Sequence, residues 1–123
     1  MNKWQFLNFF WNQFDVPAYD ENTIPEDIDF PYISYESVTA GFEYPLVVTA
    51  SIWDKSKSWE RSAVIADKIA REVHNMKGSS YEIEEGRVRV FMDETPFSQR
   101  MADDNLDIRH TVINIGIEYM VRY

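Results

Sequence analysis

The chain has no cysteine, four glycines and two histidines in 123 residues. Each shortage removes a class of chemistry. Without cysteine there is no disulfide framework, no thiolate zinc site and no cysteine nucleophile. The glycines, at positions 41, 78, 86 and 116, form neither a GxGxxG pattern nor a P-loop, so no phosphate-cradling loop is expected. Neither His74 nor His110 has a serine, carboxylate or second histidine at a motif spacing. His74 falls near the end of an expected helix, where a cation suits the dipole. His110 falls in an expected strand, opposite a row of isoleucines, and both are read as structural. No apolar run approaches the ~20 residues that span a bilayer. The start, "MNKWQFLNFFWNQF", lacks the apolar core and small-residue cleavage site of a signal peptide. A soluble, intracellular protein with no membrane partner is expected.

Positive charge is also scarce. Twelve Lys and Arg against 21 Asp and Glu give a formal charge of -9, a field that repels nucleic-acid phosphates. The densest basic pairs, Lys55 with Lys57 and Arg87 with Arg89, are accompanied by acids, so DNA binding is not expected. What is abundant is apolar and aromatic matter, 45% and 15% of the residues. That is too much for a disordered chain. The length suits one domain with its own core, and a single domain over 1–123 is expected.

Residues 4, 7, 11 and 14, with 6, 10 and 14 beside them, put Trp4, Phe6, Leu7, Phe10, Trp11 and Phe14 on a broad apolar stripe of a short helix. Such a helix docks on a sheet, and it ends before Pro17. Residues 15 to 31 carry three prolines and six acids and read as a loop with a solvated acidic surface. They lack the glycine and terminal glutamate of a calcium ladder. "YISYESVT" from 32 and "LVVTASIW" at 46–53 read as strands, with Leu46, Val48, Ala50 and Ile52 on one face. Trp59, Ala63, Ala66, Ile69 or Ala70, Val73 and Met76 recur at helical spacing up to Gly78, a natural stop. "RVRVFMDE" at 87–94 and "DIRHTVINIGIEYMVRY" at 107–123 alternate as strands, with a loop of about a dozen residues between them, longer than most hairpin connections. The order gives an α+β domain: a mostly antiparallel four-stranded sheet with an N-terminal helix and a long central helix packed on one face.

The stretch "SIWDKSKSWERSAVIADKIAREV", residues 51 to 73, crowds Asp54, Lys55, Lys57, Glu60 and Arg61 around two tryptophans. At a strand-to-helix junction such residues are expected as helix caps, because the first N–H groups of a helix need acceptors. It is read as the corner of a fold. "DDNLD" at 103–107 offers three carboxylates, but no partner for a metal is signalled elsewhere.

With chemistry set aside, the arrangement itself is informative. An N-terminal helix leads to "VPAYDENTIP", then "PYISYES", a strand ending in "SIWDKSKSW", a helix "AVIADKIAREV", and finally "PFSQRMADDNLDIRHTVINIGIEY". This order resembles the tail-terminator (tail-completion) proteins of long-tailed, non-contractile bacteriophages and prophages. Those small proteins share a proline-tyrosine entry into the first strand and an "IWD"-like strand end before their long helix. The resemblance implies a homohexameric ring that caps the head-proximal end of the tail tube, stops its polymerisation and presents a surface to the head. The implied partners are further copies of the chain, the tail-tube protein and the head-tail connector protein, with genome DNA passing through the lumen without specific binding. The implied location is the virion, after assembly in the host cytoplasm. It implies no enzyme, and no catalytic residue, metal or cofactor.

The segments expected to make contacts are Thr95 to Asp107 and the turn from Ala40 to Pro45, since loops on a rigid scaffold carry binding. Phe97, Arg100 and Met101 in the first, with Phe42 and Tyr44 in the second, are the candidate interface residues. The alternatives are a head-tail joining or stopper ring, and, in a different class, an acidic DNA-mimic inhibitor.

Overall fold

The computed structural model describes residues 1–37, 42, 44–74, 79–93 and 95–121. Two helices, α1 (Phe6–Trp11) and α2 (Glu60–Val73), accompany seven strands: β1 (Ala18–Asp20), β2 (Tyr32–Tyr35), β3 (Leu46–Lys55), β4 (Ser79–Ile83), β5 (Gly86–Phe91), β6 (Ser98–Met101) and β7 (Ile108–Val121). The strands form one sheet in the order β1-β2-β3-β7-β5-β4, with β6 also paired to β7.

This corrects the expected architecture. The fold is mostly β, a curled mixed sheet of seven strands with two short helices, and not a four-stranded antiparallel sheet under a long central helix. Three strands account for the difference. β1 is a three-residue strand just after Pro17, parallel to β2, and makes the sheet mixed. β4 is the partner of β5 in a two-residue hairpin. β6 lies inside the segment read as one long loop, and its residues are exposed, so it carries no apolar alternation to reveal it. The central helix ends at Val73; Met76 and Gly78, expected in and after its last turn, lie outside the described residues.

Long strands hold the sheet together. β3 pairs with β7 over ten residues, from Leu46 opposite Ile117 to Lys55 opposite Ile108. β7 is longer than any neighbour on its other edge, so β5 takes its C-terminal half and β6 its N-terminal half. Alternation then sorts the faces. Val48, Ala50 and Ile52 of β3, Val88 and Val90 of β5, and Ile113, Ile115 and Ile117 of β7 are buried against the helices. α2 contributes Ile65, Ile69 and Val73.

A six-residue helix has no stability of its own in water, so α1 forms because of what it packs on. Phe6, Leu7, Phe10, Trp11 and, just beyond, Phe14 are buried as the spacing predicts, while Trp4, in the turn before the helix, stays exposed. Asn12 ends the helix and also fixes β1. Its Nδ2 donates to the carbonyls of Asn8 (2.8 Å) and Ala18 (3.2 Å), and its Oδ1 accepts from Ala18 N–H (3.0 Å). Tyr81 of β4 ties α2 to the segment after α1, donating its O–H to Glu72 of α2 and accepting from Gln13 Nε2 (3.2 Å). Burial and the Glu72 bond push the Tyr81 phenol well above its ordinary value.

Candidate interaction surface

The corner between β3 and α2 resolves the charged stretch around the two tryptophans. Alternation along β3 turns Asp54 inward with Ile52, and its side chain is fully buried. Arg61, the second residue of α2, donates to Asp54 Oδ1 through Nε at 3.0 Å and through Nη2 in a short contact. The hydrogen bond to Asp54 raises the guanidinium's hold on its proton. Ser58, not Asp54, serves the helix start: its Oγ accepts from Glu60 N–H at 3.1 Å, and Ser56 Oγ accepts from Ser58 N–H. Asp54 is therefore a strut between strand and helix. Asp54 is the buried member and Arg61 is half exposed, so removing Arg61 leaves a buried charge uncompensated, whereas removing both leaves none. Thermal melts should therefore show Arg61→Met lowering the midpoint more than the double change Asp54→Asn with Arg61→Met does. Equal losses would mean that the two side chains act independently.

β6 pairs with β7 off the main path of the sheet, and a hydrogen-bonded turn connects the two. Asn114 N–H donates to Phe97 O at 2.8 Å, which sets the antiparallel alternation: Gln99 and Met101 turn their main chain toward β7, and Ser98 and Arg100 turn theirs outward. Among the described residues no strand pairs with that outer edge. β1 contrasts with it, since Asn12 covers the outward main chain of Ala18. Such coverage is a common way to blunt an edge. The 102–107 turn is closed by its own side chains. Asp103 Oδ1 accepts from Asn105 N–H (2.8 Å), Asn105 Oδ1 from Asp107 N–H (2.9 Å), and Ser56 N–H donates to Asp107 O (2.7 Å). Arg109 clamps it, donating to Leu106 O (3.0 Å) and Lys57 O (2.8 Å). The Arg100 and Arg109 guanidiniums both lie over the Trp59 ring, at 4.9 and 5.3 Å from its centroid. The result is a fixed turn that holds Leu106 out with 80% of its surface in water.

The five candidate interface residues fall into two groups. Phe97 is partly buried against the core, Arg100 is exposed beside Trp59, and Met101 is 39% exposed opposite His110. Phe42 is nearly buried, its ring edge-on to Trp4 (5.0 Å) and Tyr119 (4.8 Å), whereas Tyr44 is exposed. Met101 stands opposite residue 110 of β7 and Phe42 touches residue 119, so the groups are about 30 Å apart along the strand. Ala40, Gly41 and Glu43 of the expected contact turn lie outside the described residues. Trp59 and Leu106 are the residues that sequence reasoning missed. The available signal was a single leucine among acids in "DDNLD", which had drawn attention only for its carboxylates.

The sheet face away from the helices carries an aromatic row. Tyr32, Trp53 and His110 stand side by side on β2, β3 and β7. Trp53 stacks on His110 with centroids 3.8 Å apart and on Tyr32 at 6.4 Å. Trp53 Nε1 donates to Ser34 Oγ (2.9 Å), and His110 Nε2 lies 2.9 Å from Ser51 Oγ. Burial lowers the His110 pKa below 6.5, with Asp103 pulling the other way. A histidine lowered on folding stabilises the fold above its unfolded value and loses that contribution as pH falls through the folded value. Wild type should therefore lose stability below about pH 6.5 more steeply than His110→Gln. Parallel melting curves for the two proteins across pH 7 to 5 would remove His110 from the acid response.

A cleft of about 450 Å³ opens between α2 and the segments around Val16 and Phe30. Val16, Pro17, Phe30, Pro31, Val64 and Ile65 give it an apolar lining, and Arg61 and Lys68 stand at its rim with Asp15 and Asp29. Lys68 Nζ meets Asp15 Oδ2 at 2.9 Å. Among the described residues no three His, Asp or Glu side chains gather in a group fit to hold a metal. Among the described residues no helix is long and apolar enough to cross a membrane. No protein-family model, curated protein or solved structure matches this chain.

Proposed function

We propose that this chain is a structural phage protein that assembles as a ring at the head-proximal end of a tail tube, ends the tube's polymerisation and offers the surface on which the head is attached. The observation that carries the reading is the β6–β7 projection, an uncovered strand edge beside a fixed turn that presents Leu106 to water. Hydrogen-bonded preorganisation of that kind lowers the ordering cost of association, and a strand edge left unpaired is a ready template for pairing with another chain. The formal charge of -9 also suits a ring around DNA, because a repulsive lumen lets the duplex slide. The partners in this reading are further copies of the chain, the tail-tube protein and the head-tail connector protein, and none of the roles is catalytic.

The test is to add the purified protein to polymerising tail-tube protein from the same particle and image the products by negative stain. Six-membered rings on one end of shortened tubes are the expected result. Tubes of unchanged length with bare ends would overturn the proposal, and rings that bind only the connector would turn it into a stopper. A tight complex with one basic protein, without rings, would favour the inhibitor reading instead.

A further inference from the structure

We infer that the hollow between α2 and the β6–β7 pair binds a small linear zwitterion, a molecule of the ω-amino-acid class with a carboxylate at one end and an ammonium at the other. The inference goes beyond the ring reading and does not depend on it. The hollow has a volume of about 150 Å³, the space of about five waters, too little for a nucleotide or a drug-sized molecule. Two buried rows lead to it. Ser62, Ile65, Ile69 and Val73 lie along the inner side of α2, and Thr111, Ile113, Ile115 and Ile117 along the inner face of β7. Each row begins with a hydroxyl where aliphatics follow, and both of those hydroxyl residues line the hollow. Ser62 is 2% exposed, and its Oγ has no hydrogen-bond partner among the described residues. A buried polar atom without a partner is costly, and here it borders a space into which a small polar molecule fits.

The charges of the lining select the ligand. Arg100 pairs with Thr111 across the strands and shares its inner face, where the guanidinium lies over Trp59 at the start of α2. Asp67 lines the same hollow eight residues after Trp59, about 12 Å along the helix axis. Neither the Arg100 nor the Asp67 side chain has an ion pair or hydrogen bond among the described residues, whereas Arg61 and Lys68 on the adjoining helix face are both paired. A simple anion would be held against Asp67 and a simple cation against Arg100. A ligand with both charges uses both residues. With ~3 Å taken up by each hydrogen bond, about 6 Å remains between the ligand's two ionic groups, the span of a chain of about three carbons and more than an α-amino acid provides. The carboxylate belongs at the Arg100 end, which is also the positive end of the helix dipole, and the ammonium at Asp67.

The test titrates γ-aminobutyrate into the whole chain by calorimetry, beside butyrate and propylammonium, each of which is the probe with one charged group removed, and glycine, whose charges are one carbon apart. A saturable isotherm for γ-aminobutyrate is expected, with the three analogues binding at least about tenfold more weakly. Asp67→Asn and Arg100→Gln, both at exposed positions, should each weaken γ-aminobutyrate binding by about tenfold and leave the fold intact. Amide exchange gives a second readout. A ligand bridging α2 to β6 should slow exchange at Gln99 and Met101, whose main chain faces β7, and the slowing should disappear in Asp67→Asn. No saturable binding would overturn the inference. So would butyrate or glycine binding as tightly as γ-aminobutyrate, or an affinity that Asp67→Asn leaves unchanged.

Discussion

Replacing Phe10 by alanine should cost about 3–5 kcal/mol, read as a lower urea midpoint with an unchanged slope. Phe10 has no exposed surface and sits among four rings: Phe6 at 6.0 Å, Trp11 at 5.0 Å, Phe14 at 5.4 Å and Tyr81 at 6.0 Å. Two effects add. Truncation removes the transfer free energy of a whole ring, and the cavity it leaves is walled by large side chains that cannot collapse into it. Because α1 has only six residues, it depends on this packing for its existence, so part of the loss should appear as loss of the helix itself. Phe9 supplies the control, since it is on the same helix but 44% exposed. Phe9→Ala should cost much less. Against a total stability of about 5–15 kcal/mol, the Phe10 change alone would bring the chain close to unfolding at body temperature. A small effect at Phe10 would mean that the helix is carried by the chain on either side of it.

What the sequence made legible followed from period and length. The alternation of Ile113, Ile115, Ile117 and Tyr119 marks the buried face of β7 because a sheet with one covered face has to repeat every two residues. Val48, Ala50 and Ile52 mark β3 in the same way, and the stripe from Phe6 to Phe14 identifies a helix that docks. The missed strands lacked such a signal for physical reasons. β6, "SQRM", is exposed on both faces and is held by main-chain bonds to β7, so its side chains record nothing of its state. β1, "AYD", is three residues long and depends on Asn12 and on parallel pairing with a strand fourteen residues later. With those strands unseen, the sheet was taken as four-stranded and antiparallel.

The interaction surface was legible in part. The segment from Thr95 to Asp107 was chosen for its length, and it holds the projecting turn. Its internal order was invisible, because the clamp comes from Arg109 and Ser56, one beyond the turn and one fifty residues before it. Phe42 was chosen as an aromatic in the expected contact turn, and its ring lies against Trp4 and Tyr119, neighbours that only the fold brings together. The cleft had no sequence signal at all. It is formed from one helix face and the two ends of the acidic, proline-rich segment 15–31, which only the fold brings together.

Gly86→Ala should destabilise the fold by about 2–4 kcal/mol, the second largest effect expected of a single change. Glu84 and Glu85 form the two-residue turn between β4 and β5 without entering the positive-φ region, and the reversal is completed by Gly86 at φ 151°. Two costs apply at once. The backbone angle strains any residue with a Cβ, and that Cβ would stand 2.2 Å from the carbonyl oxygen of Met120 on β7, an atom held in the sheet. Gly116 isolates the second kind of cost. A Cβ there would meet the Phe91 ring at 2.3 Å, but Phe91 is a partly exposed side chain that can rotate away, and the backbone angle is ordinary. Gly116→Ala should therefore cost less than Gly86→Ala despite a similarly close approach. The loss at Gly86 should also be local before it is global, since among the described residues β4 pairs in the sheet with β5 alone. Amide exchange should accelerate first in Ser79–Ile83 and leave the Arg109-clamped turn and the Asp54–Arg61 strut protected. If exchange instead rises evenly across β4, β7 and the 102–107 turn, the two ends of β7 unfold as one unit. Contacts made at the Leu106 end would then stabilise the β4–β5 hairpin as well.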